Sequence, residues 1–200
     1  ESVLASQSFR RFPTSYVASL KQARRRIETL RSMLPHSSLE PARLETMLLL
    51  AEARQYLTSP TEGLAFIDAA RRSVRAAVDD LALETVDSVT LTSDSGGIPV
   101  TVSNEGPHSL EFSVQLVSTR LREVPATSVE LAPGESETLR LRASLRSTGR
   151  FEVHVLMVSP SGRLIGEETF VVRSTAYNGI ALLITIGAAL VLLLVWARRF

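Results

Sequence analysis

Between Ser15 and Leu34 apolar or small residues recur at Leu20, Ala23, Ile27, Leu30 and Leu34, a spacing of three and four that gathers them on one face of a helix. Pro35 ends that helix. A second predicted helix opens near Pro41, whose fixed φ suits a first helical turn, and carries Leu44, Met47, Leu48 and Ala51 inward as far as Leu57. Ser59-Pro60-Thr61-Glu62 has the form of a capping box with proline just inside it. The third helix it starts runs to Leu83 and buries Leu64, Ile67, Ala70, Val74, Val78 and Leu81. Short connections between the three stripes predict antiparallel neighbours around a common seam, a three-helix bundle.

After Asp87 the period changes from helical to alternating, so a boundary falls between Glu84 and Ser88. Strands are predicted at Val89–Thr92, Ile98–Val102, Leu110–Val117, Ser128–Leu131, Thr138–Leu145, Phe151–Val158 and Leu164–Arg173. The separators Asp94-Ser95-Gly96-Gly97, Asn104-Glu105-Gly106, Pro133-Gly134, Thr148-Gly149 and Pro160-Ser161-Gly162 carry turn chemistry, with glycine where a positive φ is needed. Seven short strands at regular spacing fit an immunoglobulin-like or fibronectin-like sandwich.

The run Gly179 to Ala197 is free of charge, and a helix of that length matches a hydrocarbon core of roughly 30 Å. It predicts a single transmembrane helix. Tyr177 and Trp196 stand where amphipathic rings prefer the headgroup layer, and Arg198 and Arg199 argue for a cytoplasmic C-terminus and an extracytoplasmic N-terminal region at the plasma membrane. Ala181, Thr185 and Ala189 recur every fourth residue, a stripe of small side chains against which another membrane helix could pack. The expected fold is therefore an α + β multidomain chain: a helical segment over 1–84, an immunoglobulin-like β-sandwich over 85–174 and a transmembrane anchor with a short tail over 175–200.

Composition narrows the function. Acids and bases balance to a net charge of +1 and are interspersed, so no field draws in nucleic acid. The chain has no cysteine, which excludes disulfides, thiolate metal sites and thiol catalysis. It starts at Glu1, with no signal peptide in its opening residues, and reads as a fragment of a longer exported protein. The basic run Lys21, Arg24, Arg25, Arg26 fans around its helix and reads as a solvated face.

Candidate chemistry is sparse. His36, His108 and His154 are scattered over a helix end, a turn and a strand, without metal-ligand spacing. His154 alternates with valines and points away from the apolar face, and Glu167-Glu168 places its carboxylates on opposite strand faces. No nucleophile elbow, dinucleotide fingerprint or Walker sequence occurs. The residues predict no catalytic, cofactor or metal site.

Val89-Thr-Leu-Thr-Ser93, Gly97-Ile-Pro-Val-Thr-Val-Ser-Asn104, Val172-Arg-Ser-Thr-Ala-Tyr-Asn178 and Trp196-Ala-Arg-Arg199 resemble the actinobacterial domain-of-unknown-function 6049 family of envelope proteins. The resemblance implies a large secreted region ahead of the helices and a gene commonly beside that of a MurJ-type lipid II flippase. The Val-x-Val-x-Asn strand and the Pro133-Gly134-Glu135 turn are also similar to NEW3-type domains of bacterial surface proteins. The expected function is a non-catalytic, membrane-anchored domain of a cell-envelope protein, accessory to peptidoglycan precursor export, with the bilayer and a lipid II flippase as partners. The rival expectations are the spacer and anchor of a carbohydrate-processing enzyme whose catalytic domain lies upstream, and a glycan-binding module with exposed aromatics on a sandwich face.

Overall fold

The computed structural model describes residues 11–174 and 179–198, the side chains of 179–185 excepted. Helices α1 (Thr14–Met33), α2 (Glu40–Ala51) and α3 (Pro60–Asp79) come first, with a short 3-10 turn at Arg54–Leu57 before α3. Eight strands follow: β1 (Leu81–Thr85), β2 (Ser88–Leu91), β3 (Ser95–Asn104), β4 (Leu110–Val117), β5 (Thr127–Leu131), β6 (Ser136–Ser144), β7 (Gly149–Val158) and β8 (Leu164–Ser174). Helix α4 (Gly179–Ala197) comes last. The strands make a three-stranded sheet in the order β1-β3-β6 and a five-stranded sheet in the order β2-β8-β7-β4-β5. All pairings are antiparallel except β2 with β8, which is parallel.

Alternation sets the two sheet faces. Ile98, Val100 and Val102 of β3 and Leu139, Leu141 and Ala143 of β6 are buried, as are Phe112, Val114 and Leu116 of β4 and Val153, Val155 and Met157 of β7. Their neighbours in each strand are mostly half-buried or exposed, the pattern of a sheet with one covered face. One buried polar side chain closes the end of β3. The Asn104 amide donates to the carbonyls of His108 at 2.8 Å and Leu131 at 3.0 Å, and its oxygen accepts from the Gly106 N–H at 3.0 Å.

The expected separate three-helix bundle does not form. Helices α1, α2 and α3 touch one another, but their apolar faces do not close on a seam of their own. Ile27, Leu30, Leu44, Ile67, Ala70 and Val74 belong to one continuous buried cluster with Leu81 of β1 and the strand cores. The physical reason lies in α2: it ends at Ala51 and continues only as a 3-10 turn, too short to cover both partners along their length. In place of a bundle set apart from a sandwich, helices α1 to α3 and the two sheets share one core, and the described side chains of α4 lie outside it.

The expected single-pass anchor is corrected as well. Among the described residues no helix is long and apolar enough to cross a membrane. The plasma-membrane placement with a cytoplasmic C-terminus falls with the anchor.

Smaller differences have local causes. Residues 81–83 continue the stripe of α3 in sequence, yet Glu105 donates to the Asp80 carbonyl at 2.8 Å and Leu81 pairs with Asn104, so the chain leaves the helix as β1. Ser59 is the N-cap of α3 without a side-chain capping bond; its carbonyl accepts from the Glu62 N–H at 3.1 Å instead. Gly96 and Gly97, expected in a turn, pair with Ala143 and Arg142 inside β3.

Candidate functional site

Most of the residues singled out for the anchor lie outside the described residues or have their side chains outside them. Tyr177 and Arg199 lie outside the described residues, and Ala181 and Thr185 are helical positions whose side chains are likewise outside them. Ala189 is exposed on α4, as is Trp196, and the Arg198 backbone N–H donates to the Leu194 carbonyl at 3.1 Å. The histidines stay apart, and among the described residues no three His, Asp or Glu side chains gather where a metal could bind. His154 Nδ1 lies 2.9 Å from Glu167 Oε1 and 3.2 Å from Thr169 Oγ1 on the outer face of the five-stranded sheet. Of the two sandwich phenylalanines considered for glycan contact, Phe112 is buried and Phe151 half-buried.

A cavity of about 300 Å³ lies instead where the helices meet the turn between β7 and β8. Helix α3 lines it with Val74 and Val78 on one row and Arg75 and Asp79 on the next, each pair one turn apart. Helix α1 adds Arg26 and the buried Thr29, three residues apart on the same face. The third wall is Arg163, Leu164 and Ile165.

That third wall is firmly held. Gly162 has a φ of 80°, which its missing Cβ permits, and its N–H donates to the Ser159 carbonyl at 2.8 Å. The Arg163 N–H donates to Ser159 Oγ at 3.1 Å while the Ser159 N–H donates to the Arg163 carbonyl at 2.8 Å. The Ser161 N–H donates to Ser32 Oγ at 3.3 Å, tying the turn to the last part of α1. Arg163 therefore projects from a backbone fixed relative to Arg26.

The arginines here differ from their neighbours. Arg24 meets Glu52 at 2.9 Å, Arg31 meets Glu45 at 2.6 Å, Arg43 meets Glu40 at 2.9 Å and Arg71 meets Asp68 at 3.7 Å. Among the described residues Arg26, Arg75 and Arg163 have no carboxylate within 4.0 Å, although Asp79 lines the same cavity. The basic run read as a uniform solvated face is thus divided: Arg24 is paired and Arg26 turns half-buried into the cavity. Sequence reasoning missed the site because Arg163 comes from a turn far along the chain, and only the three-four spacing of Arg26 with Thr29 and of Arg75 with Asp79 hinted at shared faces.

No curated protein matches the chain. Among solved structures, a FixG-related protein from Vibrio parahaemolyticus is similar at 11% identity and a TM-score of 0.41, over 48% of this chain and 98% of that one. WR4, a C. elegans MSP family member, is similar at 10% identity and a TM-score of 0.36, over 48% of this chain and 98% of that one. The YadV chaperone is similar at 13% identity and a TM-score of 0.35, over 50% of this chain and 54% of that one. The family model of unknown function DUF6049 matches residues 2–196, nearly the whole sequence, and the chain belongs to that family.

Proposed function

We propose that this chain is a non-catalytic structural module of an actinobacterial cell-envelope protein, serving as an accessory of peptidoglycan precursor export beside a MurJ-type lipid II flippase. The observation that supports this reading is the single buried cluster running from α1 through both sheets. Such a core makes the helical layer and the sandwich one stiff body, suited to holding other parts of an assembly at a fixed spacing. The resemblance to envelope proteins encoded beside the flippase supports the partner.

The test is to delete the gene in an actinobacterium that carries it beside the flippase gene, and to measure lipid-linked precursor pools and co-purification with the flippase. Accumulated precursor, restored to normal by the full-length gene, is the expected result. Unchanged pools with no co-purification would overturn the proposal. Hydrolysis of cell-wall oligosaccharides by the purified parent protein would replace it with the spacer of a carbohydrate-processing enzyme.

A further inference from the structure

The cavity between α1, α3 and the β7–β8 turn combines convergent positive charge with an apolar lining. Arg26, Arg75 and Arg163 face one space against a single aspartate, Asp79, and none of the three is paired within 4.0 Å among the described residues. Like charges converging on one cavity repel one another, and that repulsion is relieved when an anion enters. The apolar part of the lining, which serves as its floor, is Val74 and Val78 of α3 with Leu164 and Ile165 of the third wall.

We propose that this cavity binds a small amphipathic anion, a phosphate monoester carried on a short apolar chain. Guanidinium forks match phosphate oxygens in pairs. Three forks from three separate elements suit the three terminal oxygens of a phosphate monoester better than the two of a carboxylate. The apolar floor takes the first carbons of the chain, where each buried methylene adds to affinity. At about 300 Å³ the space sits at the small end of ligand cavities, which limits the occupant to a headgroup and a few carbons. Three merely solvated arginines around an incidental groove would bind none of the probes below with one-to-one stoichiometry. This site is separate from the structural role proposed above, and either stands if the other fails.

The test is calorimetric titration of the full 200-residue protein with hexyl phosphate, inorganic phosphate, hexanoate and hexanol. Hexyl phosphate should bind one to one, at least about tenfold more tightly than inorganic phosphate because of the floor. It should also bind more tightly than hexanoate. Changing Arg75→Gln and Arg163→Gln together should weaken hexyl phosphate about a hundredfold, a factor of ten for each charged hydrogen-bond donor removed. Both side chains are exposed, so the variant should keep its circular dichroism spectrum. Leu164→Ser should narrow the gap between hexyl phosphate and inorganic phosphate while leaving the latter's affinity unchanged. Equal binding to the folded double variant would overturn the proposal, as would hexanol matching hexyl phosphate or the absence of measurable binding.

Discussion

The Tyr16 hydroxyl donates a 2.5 Å hydrogen bond to the Ala51 carbonyl, joining the first turn of α1 to the last residue of α2. The ring is buried, and Phe12 stacks on it with centroids 4.6 Å apart. Tyr16→Phe keeps the ring and leaves the Ala51 carbonyl without this donor, which should cost about 1–2 kcal/mol. The midpoint of urea unfolding checks it. Gly63 on α3 leaves the room the hydroxyl occupies, since a Cβ there would overlap the Tyr16 oxygen and crowd Tyr56 Cβ. Gly63→Ala should therefore destabilise by about 1–3 kcal/mol despite alanine's better helix propensity.

Burial, helped by Tyr56 and Glu52, raises the Tyr16 pKa above its ordinary 10.0. The sign follows from proton counting. Above pH 10.0 the unfolded chain releases this proton while the folded chain keeps it, so the folded state loses stability as pH climbs from 10.0 through the raised value. Below pH 10.0 the group contributes no slope. Unfolding free energies measured across this window in wild type and Tyr16→Phe should converge as pH rises, since the variant lacks the titration; parallel curves would rule out this origin.

Ile27 of α1 and Phe112 of β4 are both buried in the one cluster. Replacing either with alanine should cost about 2–5 kcal/mol and lower a single shared melting transition. Differential scanning calorimetry reads the outcome. A split endotherm, with Ile27→Ala melting the helices ahead of the strands, would mean that the helical layer is energetically independent.

Asn104→Ala should cost roughly 2–4 kcal/mol, because it strips partners from the carbonyls of His108 and Leu131 and from the Gly106 N–H in a buried place. Glu52→Gln, by contrast, breaks the exposed Arg24 pair and should change stability by less than about 1 kcal/mol. Chemical denaturation of the two variants side by side measures the contrast.

Much of the strand pattern is legible in the sequence because one face of each sheet is covered, so Phe112, Val114 and Leu116 alternate cleanly with polar neighbours. The seven strands expected from alternation all form, with ends shifted by a few residues. β1 is not legible. Leu81 and Leu83 continue the helical stripe as well as they start a strand, and what decides between them is pairing with Val102 and Asn104, a long-range contact. The same limit hides the cavity: Arg26, Arg75 and Arg163 are ordinary surface residues until the fold brings α1, α3 and the β7–β8 turn to one place. The apolar stripes of α1 and α3 read as a bundle because a stripe shows that a helix buries a face, not which element covers it.

The parallel pairing of β2 with β8 carries an implication for how the protein is made. Val89 and Thr90 find their hydrogen-bonding strand only at Val172 and Arg173, more than eighty residues later. A ribosome has therefore delivered nearly all of the strand region before the edge of the five-stranded sheet can be sealed, and until then that edge stays open to wrong partners. Helices α1 to α3 meet only short-range demands by comparison and are free to settle first, so they are in place as a wall against which the late strands arrive.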